Sequence, residues 1–360
     1  MNKKSFEISV IKTNAPKQKP DVTKGLPFGK IFTDHMFMME YASEKGWYNP
    51  RIVPYAPLTL DPATNSLHYG QLIFEGMKAY KTPQGKINLF RPFENANRLN
   101  KSAERLCMPE IDPEITVSAI SELLKLDSDW IPTQPGTSMY VRPFMMATDC
   151  NIYLPPSETY LFMIILSPVG HLYNNELTPM KILVENEYVR AAKGGTGFAK
   201  CAGNYAGAAK AAISAREKGY HQVLWLDAVH RKYIEEVSAM NVFFVIDNIV
   251  VTPYSPDSIL DGITRNSAIA IIKDWGIPIE ERPIAIEELA AAYDAGKVSE
   301  VFCTGTAAVI SPIGEIGWKE KQMEFGSGKI GALTQKLYDE MTGIQTGERP
   351  DRFGWVYDVG

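Results

Sequence analysis

A change in composition near the middle of the chain constrains how it can fold. An almost wholly apolar run at 159–166 is followed, over residues 167–179, by Ser, Pro, Gly, Asn and Glu. Such a shift is typical of a domain boundary, and 360 residues are more than most single cores accommodate. We therefore predict a small N-terminal domain at 1–170 that begins with an arm at 1–27, a linker at 171–179, and a large C-terminal domain at 180–360.

Both halves of the chain mix strand-like and helix-like segments. Alternating apolar residues predict strands, and apolar residues three or four apart predict helices. Neither half shows a regular alternation of strand and helix, and no internal repeat is visible. The sequence therefore predicts an α/β fold of the α+β type with two mixed domains. The segments that bear on function are strands at 138–147, 159–166 and 232–246, and helices at 92–106, 205–218 and 264–275.

The charge balance and the scarcity of metal-ligand patterns exclude several classes of function. The chain has 37 basic and 42 acidic residues without a basic stripe, so neither nucleic acid nor an anionic membrane is an expected partner. No apolar run has the length of a signal peptide or a membrane span, which predicts a cytoplasmic protein. Four dispersed cysteines and five scattered histidines predict no metal site.

One lysine lies within a run of glycines. The stretch Gly194-Gly195-Thr196-Gly197-Phe198-Ala199-Lys200-Cys201-Ala202-Gly203-Asn204-Tyr205 contains four glycines and one lysine. Glycine allows a positive φ and a close approach of another group to the backbone. A lysine shielded from water in such a loop is a candidate amine nucleophile, because desolvation favours its neutral form. A solvated lysine in a turn is the alternative.

Two further segments could bind an anion. Gly262-Ile263-Thr264 leads into a predicted helix, whose first backbone N–H groups and dipole attract negative charge. Thr304-Gly305-Thr306-Ala307 is a loop of small residues between predicted strands. Helix capping and turn formation explain either segment equally well. The chain has no G-x-x-x-x-G-K-[ST] motif, and the glycines before Lys200 lack the dinucleotide-binding spacing.

Several charged residues lie in segments that are otherwise apolar. Glu235 and Glu236 are adjacent in a predicted strand, so at most one is expected to face an interior, and a surface pair is the default. Arg142 lies within an apolar strand, which places it at a sheet edge or reserves it for an acidic ligand. Arg98 is spaced seven residues from Arg91 and from Arg105, which also fits an exposed stripe.

Together these groups match the needs of a phosphate-bearing aldehyde cofactor. Such a cofactor requires a lysine for a Schiff base, an arginine and backbone amides for the phosphate, and a carboxylate for a ring nitrogen. The spacing of these residues along the chain does not by itself show that they lie close together in space.

The chain resembles branched-chain amino-acid aminotransferases of the fold type IV pyridoxal-phosphate family. The resemblance extends from Phe28 to a predicted closing helix at 329–342, and several long motifs occur in the family's order. They are Leu67-His68-Tyr69-Gly70, Phe74-Glu75-Gly76-Met77-Lys78-Ala79, Tyr140-Val141-Arg142-Pro143, Gly194-Gly195-Thr196-Gly197, Gly203-Asn204-Tyr205, Gln222-Val223-Leu224-Trp225-Leu226 and Gly305-Thr306-Ala307-Ala308.

The resemblance implies the fold, the cofactor pyridoxal 5'-phosphate and the role of each site residue. Lys200 is the Schiff-base lysine and the catalytic general base and acid, and Glu236, rather than Glu235, holds the pyridine nitrogen protonated. The other implied cofactor-binding residues are Tyr205 at the ring oxygen, Arg98, Ile263, Thr264 and Thr306 at the phosphate, and Arg190 near the cofactor. The implied substrate-binding residues are Phe28, Tyr69, Phe74 and Tyr140 around the side chain, Arg142 at glutamate's distal carboxylate, and the amides of Ala307 and Ala308 at the α-carboxylate.

The resemblance also implies a homodimer with the active site between the two domains and a lid from the partner subunit. Ile152 and Leu154 lie where the family has that lid, but Tyr153 replaces a flexible glycine. Ala239 replaces a Thr or Ser, and Ala308 and Ser311 stand where the mammalian members have a C-x-x-C switch, so thiol regulation of that type is not expected.

The function that the resemblance implies is transfer of the amino group between leucine, isoleucine or valine and 2-oxoglutarate. The alternatives on the same fold are a D-amino-acid transaminase, an R-selective amine transaminase or an aminodeoxychorismate lyase; Tyr69, Phe74 and the 140–142 strand argue against them by analogy. A non-catalytic binding or scaffold protein is a further alternative. It would be marked by the loss of Lys200, Tyr205 or Glu236, and the chain has all three.

Overall fold

The computed structural model describes residues 7–154, 156–170, 177–254 and 257–360. By packing, these residues form two compact units. The first comprises the described residues up to 170 together with Ala199–Ala202 and Ile344–Gly360, and the second comprises 177–198 and Gly203–Gly343. Within the described ranges, none of the helices combines the length and apolar character that a membrane crossing demands.

The predicted domain boundaries stay a prediction, and packing differs from them in two places. Residues 171–176 of the predicted linker and residues 1–6 of the predicted arm lie outside the described residues. Lys200 and its neighbours, which the prediction assigned to the C-terminal domain, pack with the first unit, as do the last 17 residues, Ile344–Gly360. Contacts between distant segments decide this membership, and a composition shift along the chain does not report them.

The first unit contains a nine-stranded mixed sheet. Its strand order is β1-β3-β2-β8-β7-β5-β6-β18, with β4 paired to β7. The strands are β1 Ser9–Val10, β2 His35–Ala42, β3 Gly46–Pro54, β4 Leu72–Phe74, β5 Met77–Lys81, β6 Ile87–Phe90, β7 Ser138–Ala147, β8 Thr159–Val169 and β18 Val356–Asp358, and the helices are α1 Asn65–Tyr69, α2 Pro92–Arg105 and α3 Pro113–Leu126.

One face of this sheet packs in the main core, and the opposite face carries Tyr140 and Arg142 together with a smaller buried apolar cluster that includes Met146. Alternate residues of β7, such as Met139 and Val141, are fully buried in a core shared with α2 and α3. Side chains alternate between the two faces of a strand, so Tyr140 and Arg142 belong to the opposite face. The almost wholly apolar β8 pairs with both β2 and β7 and so lies inside the sheet.

The second unit contains another nine-stranded mixed sheet, which closes partly on itself. The order is β11-β10-β9-β16-β15-β12-β13-β14, with β17 paired to β16. Because β11 also pairs with β12, six strands form a ring. The elements are β9 Met180–Val184, α4 Gly203–Ala206, α5 Ala209–Glu217, β10 Gln222–Leu226, β11 Ile234–Val237, β12 Met240–Ile246, β13 Ile249–Thr252, α6 Ile263–Asp274, β14 Ile279–Glu281, α7 Ile286–Asp294, β15 Val298–Gly305, β16 Val309–Trp318, β17 Lys321–Glu324 and α8 Ala332–Thr346, whose last residues group with the first unit.

Two elements predicted as continuous are interrupted. The strand predicted at 232–246 is a hairpin of β11 and β12, in which Val237 pairs with Met240 and Ser238 takes a left-handed backbone conformation with φ of 51°. The turn lacks the glycine that usually marks such hairpins, so the sequence does not reveal it. The helix predicted at 205–218 is divided into α4 and α5, and Gly207, which lies between them, weakens helical continuity.

Candidate active site

Lys200 is held by hydrogen bonds on both sides of its backbone. Its N–H donates to Ser102 Oγ at 2.9 Å, and its carbonyl accepts from the N–H of Phe74 at 3.0 Å. The next residue, Cys201, forms an antiparallel bridge with Ile73, and both are buried in the core. Since neighbouring residues of an extended segment face opposite ways, this bridge directs the Lys200 side chain away from the core.

Two cationic side chains lie over the aromatic ring of Phe74. The Lys200 Nζ lies 4.9 Å from the ring centroid, and the Arg142 Cζ lies 4.8 Å from it. Such cation–π contacts orient both groups without neutralising them. The structure therefore brings together three of the residues predicted from sequence: the candidate nucleophile, the candidate carboxylate-binding arginine and an apolar wall.

Arg142 is not at a sheet edge, because its strand β7 pairs with β8 on one side and with β5 and β4 on the other. Its Nη2 donates to the hydroxyl of Tyr140 at 3.1 Å, and no acceptor among the described residues meets its buried Nε. Tyr140 in turn contacts Phe28 edge-on, with ring centroids 5.0 Å apart. The sheet-edge explanation is therefore wrong, and a cation kept for an acidic ligand stays a prediction.

The absence of a side chain at Gly76 allows Tyr140 to take its observed position. A Cβ atom at Gly76 would collide with the hydroxyl of Tyr140. Because β5 begins at Met77 and pairs with β7, only a residue without a side chain at position 76 lets the phenol lie across the end of the strand. This is a physical reason for the glycine in the Phe74-Glu75-Gly76 motif.

Arg98 is buried and forms an ion pair with Glu75. The guanidinium donates from Nε to Glu75 Oε1 at 2.7 Å and from Nη2 to Oε2 at 3.0 Å. An exposed arginine stripe is therefore wrong for position 98, which is only 8% exposed. The proposed role of Arg98 at a phosphate stays a prediction.

Glu75 is ionised although it is buried. Burial alone would raise the pKa of its carboxyl, but the charge and hydrogen bonds of Arg98, the charge of Lys200 and the amide of Asn95 outweigh it. The pKa of Glu75 therefore lies below its ordinary value. Sequence reasoning missed Glu75 and Asn95 as site residues.

Glu235 and Glu236 are both buried, which corrects the expectation of a surface pair. Their side chains do face opposite sides of β11, but both sides are covered. Glu236 Oε2 lies 2.6 Å from the Nε of Arg190, and its Oε1 accepts from the Nδ2 of Asn241 at 3.2 Å. Glu235 instead accepts a hydrogen bond from the hydroxyl of Ser258.

The two neighbouring carboxyls therefore have different surroundings. Burial raises the pKa of Glu235 by more than the hydrogen bond from Ser258 and the charge of Arg190 lower it. Glu236 makes a direct ion pair with Arg190. Of the two, Glu236 has the contacts suited to a carboxylate that stays charged.

A cavity of about 150 Å³ in the second unit is lined by three of the predicted site residues. They are Arg190, Tyr205 and Glu236, with Asn204 and Ala239 beside them. A carboxylate and a phenol in one cavity are the groups that a pyridine nitrogen and a ring hydroxyl require. Asn204 is fixed by Thr196, whose hydroxyl donates to its Oδ1 at 2.7 Å.

Asn241 links Glu236 to the predicted anion-binding helix. Its Nδ2 also donates to the carbonyl of Leu260 at 3.0 Å, just before α6. A Cβ atom at Gly262 would collide with the Asn241 side chain, so glycine allows this close approach. Ile263 and Thr264 form the first turn of α6, which starts one residue earlier than predicted.

The second predicted anion-binding segment is a loop only in its second half, because Thr304 and Gly305 are the last two residues of β15. β15 ends at Gly305 and β16 begins at Val309, which leaves Thr306, Ala307 and Ala308 between them. Thr304 pairs with Asn241 across β15 and β12. Asn241 lies in the hairpin of β11 and β12 that carries Glu236, so this hairpin contacts both the strand before the loop and, through Leu260, the start of α6. The buried hydroxyl of Thr304 meets no hydrogen-bond partner among the described residues.

Tyr69, Ile152 and Leu154 lie on an exposed part of the first unit. The Tyr69 hydroxyl donates to the carbonyl of Ile152 at 2.6 Å, and Asn65 Nδ2 donates to the carbonyl of Tyr153 at 3.0 Å. Tyr153 is 78% exposed, and Ile152 and Leu154 are nearly as open. Tyr69 therefore contacts the predicted lid segment, and its predicted place in the substrate pocket with Phe28, Phe74 and Tyr140 stays a prediction.

Comparison with known proteins identifies the family. Residues 72–316 match the model of amino-transferase class IV. The chain is 51% identical over 359 residues to branched-chain-amino-acid aminotransferase 2 of Bacillus subtilis, a match that covers 100% of this chain and 98% of that protein.

Solved structures show the same fold. The branched-chain amino acid aminotransferase of Escherichia coli matches with a TM-score of 0.73 at 26% identity, over 91% of this chain and 99% of that one. The T.th. enzyme complexed with N-(5'-phosphopyridoxyl)-L-glutamate matches with a TM-score of 0.71 at 27% identity, over 89% of this chain and 98% of that one. The chain therefore belongs to the amino-transferase class IV family.

Proposed function

We propose that the protein is a pyridoxal-phosphate-dependent aminotransferase for branched-chain amino acids. It converts leucine, isoleucine or valine and 2-oxoglutarate into the corresponding branched-chain 2-oxo acid and L-glutamate. The observation that carries the proposal is the placement of Lys200, whose amine faces the same aromatic ring as Arg142. The full-length similarity to branched-chain aminotransferases supports the same activity.

The residues present fit pyridoxal phosphate. When bound, the cofactor supplies an aldehyde that links to an amine and a ring that accepts negative charge from the substrate's α-carbon. Glu236 would keep the ring nitrogen protonated, and Arg190 would hold the Glu236 carboxylate in place. Tyr205 would donate a hydrogen bond to the ring oxygen. Their common cavity supports these roles.

The phosphate would be bound by Arg98, by the amides of Ile263 and Thr264, and by Thr306. The first turn of α6 supports this role, because N–H groups at a helix N-terminus have no partner within the helix and the dipole favours an anion there. Arginine suits phosphate because its guanidinium is always charged and carries five N–H donors, of which the pair with Glu75 uses two.

Lys200 would hold the cofactor through its Nζ and would move the proton from the substrate's α-carbon. Both roles require an amine whose position is fixed but whose end can move. The backbone hydrogen bonds to Ser102 and Phe74 fix the main chain, while the long side chain keeps its freedom. Proton transfer by a positioned side chain contributes about 10²–10⁴-fold to a rate.

The substrate pocket must accept two chemically different side chains. Phe28, Phe74 and Tyr140 would surround an aliphatic branch, and the amides of Ala307 and Ala308 would bind the α-carboxylate. Arg142 would bind the distal carboxylate of glutamate, for which a purely apolar pocket would impose a large desolvation cost. The buried Nε and the hydrogen bond from Nη2 to Tyr140 support this role.

We also propose that the protein is a cytoplasmic homodimer. The exposed apolar residues Leu67, Tyr69, Ile152, Tyr153 and Leu154 support a second copy as the partner, since large exposed apolar patches mark interaction sites. They lie on two segments that are joined by the hydrogen bonds from Tyr69 to Ile152 and from Asn65 to Tyr153. Tyr69 and the lid residues of one subunit would together cover the substrate pocket of the other subunit. Sedimentation should give twice the mass of one chain, and cell fractionation should place the protein in the cytosol. A monomeric active enzyme would contradict the lid proposal.

The proposed activity is tested with a substrate panel. L-leucine, L-isoleucine and L-valine, each with 2-oxoglutarate, should react at least about 10²-fold faster in kcat/KM than D-alanine or an aryl amine, because a misplaced substrate group loses several kcal/mol of transition-state binding. The measured product is L-glutamate. Faster reaction with D-alanine or the aryl amine would assign the chain to another activity of the fold. Protein that stays colourless with pyridoxal phosphate would indicate a binding protein.

A further inference from the structure

Glu75 is a buried charged residue to which the proposed chemistry gives no role. It is 1% exposed and follows β4 directly, one residue after Phe74. Burying a carboxylate is costly unless several donors compensate for its lost hydration. The position of this carboxylate therefore indicates a specific requirement for a negative charge.

Hydrogen-bond donors surround the Glu75 carboxylate. Arg98 donates from Nε and Nη2, in the bidentate geometry that makes such pairs strong. Asn95 Nδ2 donates to Oε2 at 2.8 Å, and the N–H of Gly76 donates to Oε2 at 3.0 Å. Because two parallel bonds define a plane, the carboxylate sets the direction in which the guanidinium faces as well as its place.

The residues that meet Glu75 share one face of α2. Asn95, Arg98 and Ser102 are spaced three and four residues apart, which places them on one side of a helix, and all three are buried. Ser102 Oγ donates to the carbonyl of Arg98 at 3.0 Å and accepts the N–H of Lys200 at 2.9 Å. The face that receives the Glu75 carboxylate is therefore the face to which the backbone of Lys200 is attached.

We infer that Glu75 is a positioning residue that orients the Arg98 guanidinium for the phosphate of pyridoxal phosphate. The inference rests on the proposed function, because it takes Arg98 as a phosphate ligand. Glu75 acts through Arg98 and does not touch the cofactor itself. Glutamine at position 75 would keep the shape of the side chain but place an NH₂ group against an arginine N–H, where two donors meet.

The test compares two ligands that differ only in the phosphate. Dissociation constants for pyridoxal phosphate and for pyridoxal are measured by titration of the cofactor-free full-length protein. In the Glu75→Gln variant we expect binding of pyridoxal phosphate to weaken by about 10–100-fold, as for loss of a charge-assisted bidentate contact. Pyridoxal, which has no phosphate, should bind within about twofold of the wild type. A general loss of structure would weaken both ligands alike.

A double-mutant cycle tests whether Glu75 acts through Arg98. Arg98→Lys keeps the charge but cannot form the bidentate pair, so it should weaken pyridoxal phosphate to a similar extent. If the two residues act as one unit, the combined variant should bind no more than about threefold more weakly than Arg98→Lys alone. If the combined variant instead weakens the binding of pyridoxal phosphate by the full product of the two single-variant factors, the inference is overturned.

Other results would also overturn it. They are an equal loss of affinity for both ligands in Glu75→Gln, or unchanged or tighter binding of pyridoxal phosphate. If Glu75→Gln does not fold, Asn95→Ala replaces it: this variant keeps the carboxylate, loses one of its donors and should weaken only pyridoxal phosphate, by several-fold. Wild-type protein that binds pyridoxal phosphate no better than pyridoxal would instead refute the proposed cofactor, so the two failures are distinguishable.

Discussion

We expect replacement of Lys200 by alanine to abolish the visible absorbance that bound pyridoxal phosphate acquires on linkage to an enzyme amine, and to lower kcat by about 10³-fold or more. In the proposed mechanism the amine is both the covalent attachment point and the group that moves the α-proton, and such dual roles make single substitutions severe. The backbone bonds of residue 200 to Ser102 and Phe74 do not involve its side chain, so the fold should persist.

Lys193 provides a matched control for this experiment. It lies just before the same glycine-rich stretch, but its side chain is 84% exposed and its Nζ lies 3.9 Å from the carboxylate of Asp257. Lys193→Ala should therefore keep the absorbance and the rate within about twofold, because exposed pairs of this kind contribute little. Borohydride reduction of the wild type followed by peptide mapping should place the cofactor on Lys200. A label on another lysine, or turnover retained in Lys200→Ala, would refute the assignment.

Replacing Arg142 with leucine should separate the two half-reactions. We expect kcat/KM for 2-oxoglutarate to fall by about 10²–10³-fold, because removing one partner of a buried charge pair costs about 2–5 kcal/mol. The reaction of L-leucine with the pyridoxal-phosphate form should stay within about fivefold of the wild type, since its side chain has no carboxylate. Single-turnover absorbance changes measure each half-reaction separately.

Arg142→Lys is the control for charge alone. It keeps a cation near Phe74 but loses the planar fork, so it should fall between the wild type and Arg142→Leu with 2-oxoglutarate. Equal losses in both half-reactions of Arg142→Leu would show that Arg142 supports the pocket's structure and does not recognise the distal carboxylate. That result would leave the assignment of Lys200 unaffected.

Local patterns predicted many elements of this fold well, because their signals are contained within the segments themselves. The bounds of β7 agree with those expected from apolar spacing, and those of α2 differ from them by one residue. The fold class is confirmed by the solved structures of the family. The hairpin at Ser238 was missed, since its turn carries no glycine and a left-handed serine leaves no mark in the pattern. The split of the helix after Tyr205 was missed although Gly207 was a visible signal.

The candidate site was less accessible to sequence reasoning because burial depends on distant segments. Adjacent glutamates in a strand predicted one interior carboxylate at most, but β11 is covered on both sides and buries Glu235 and Glu236 together. Arginines spaced seven apart suggested an exposed stripe, but Arg98 is buried and donates hydrogen bonds to Glu75, which precedes it by 23 residues in the sequence. The spacing of Asn95, Arg98 and Ser102 was a usable signal for a polar buried helix face.

The sequence by itself determined the chemistry available to this protein. It identified the lysine among glycines, the carboxylate, the phenol and the arginines, and the order of its motifs indicated the family that the comparisons confirm. The tertiary structure decided which groups meet: Lys200 with Phe74 and Ser102, Arg98 with Glu75, and Arg190 with Glu236. The physical reason is that hydrogen bonding and desolvation act between neighbours in space, and strand pairing makes neighbours of residues that are far apart in the chain.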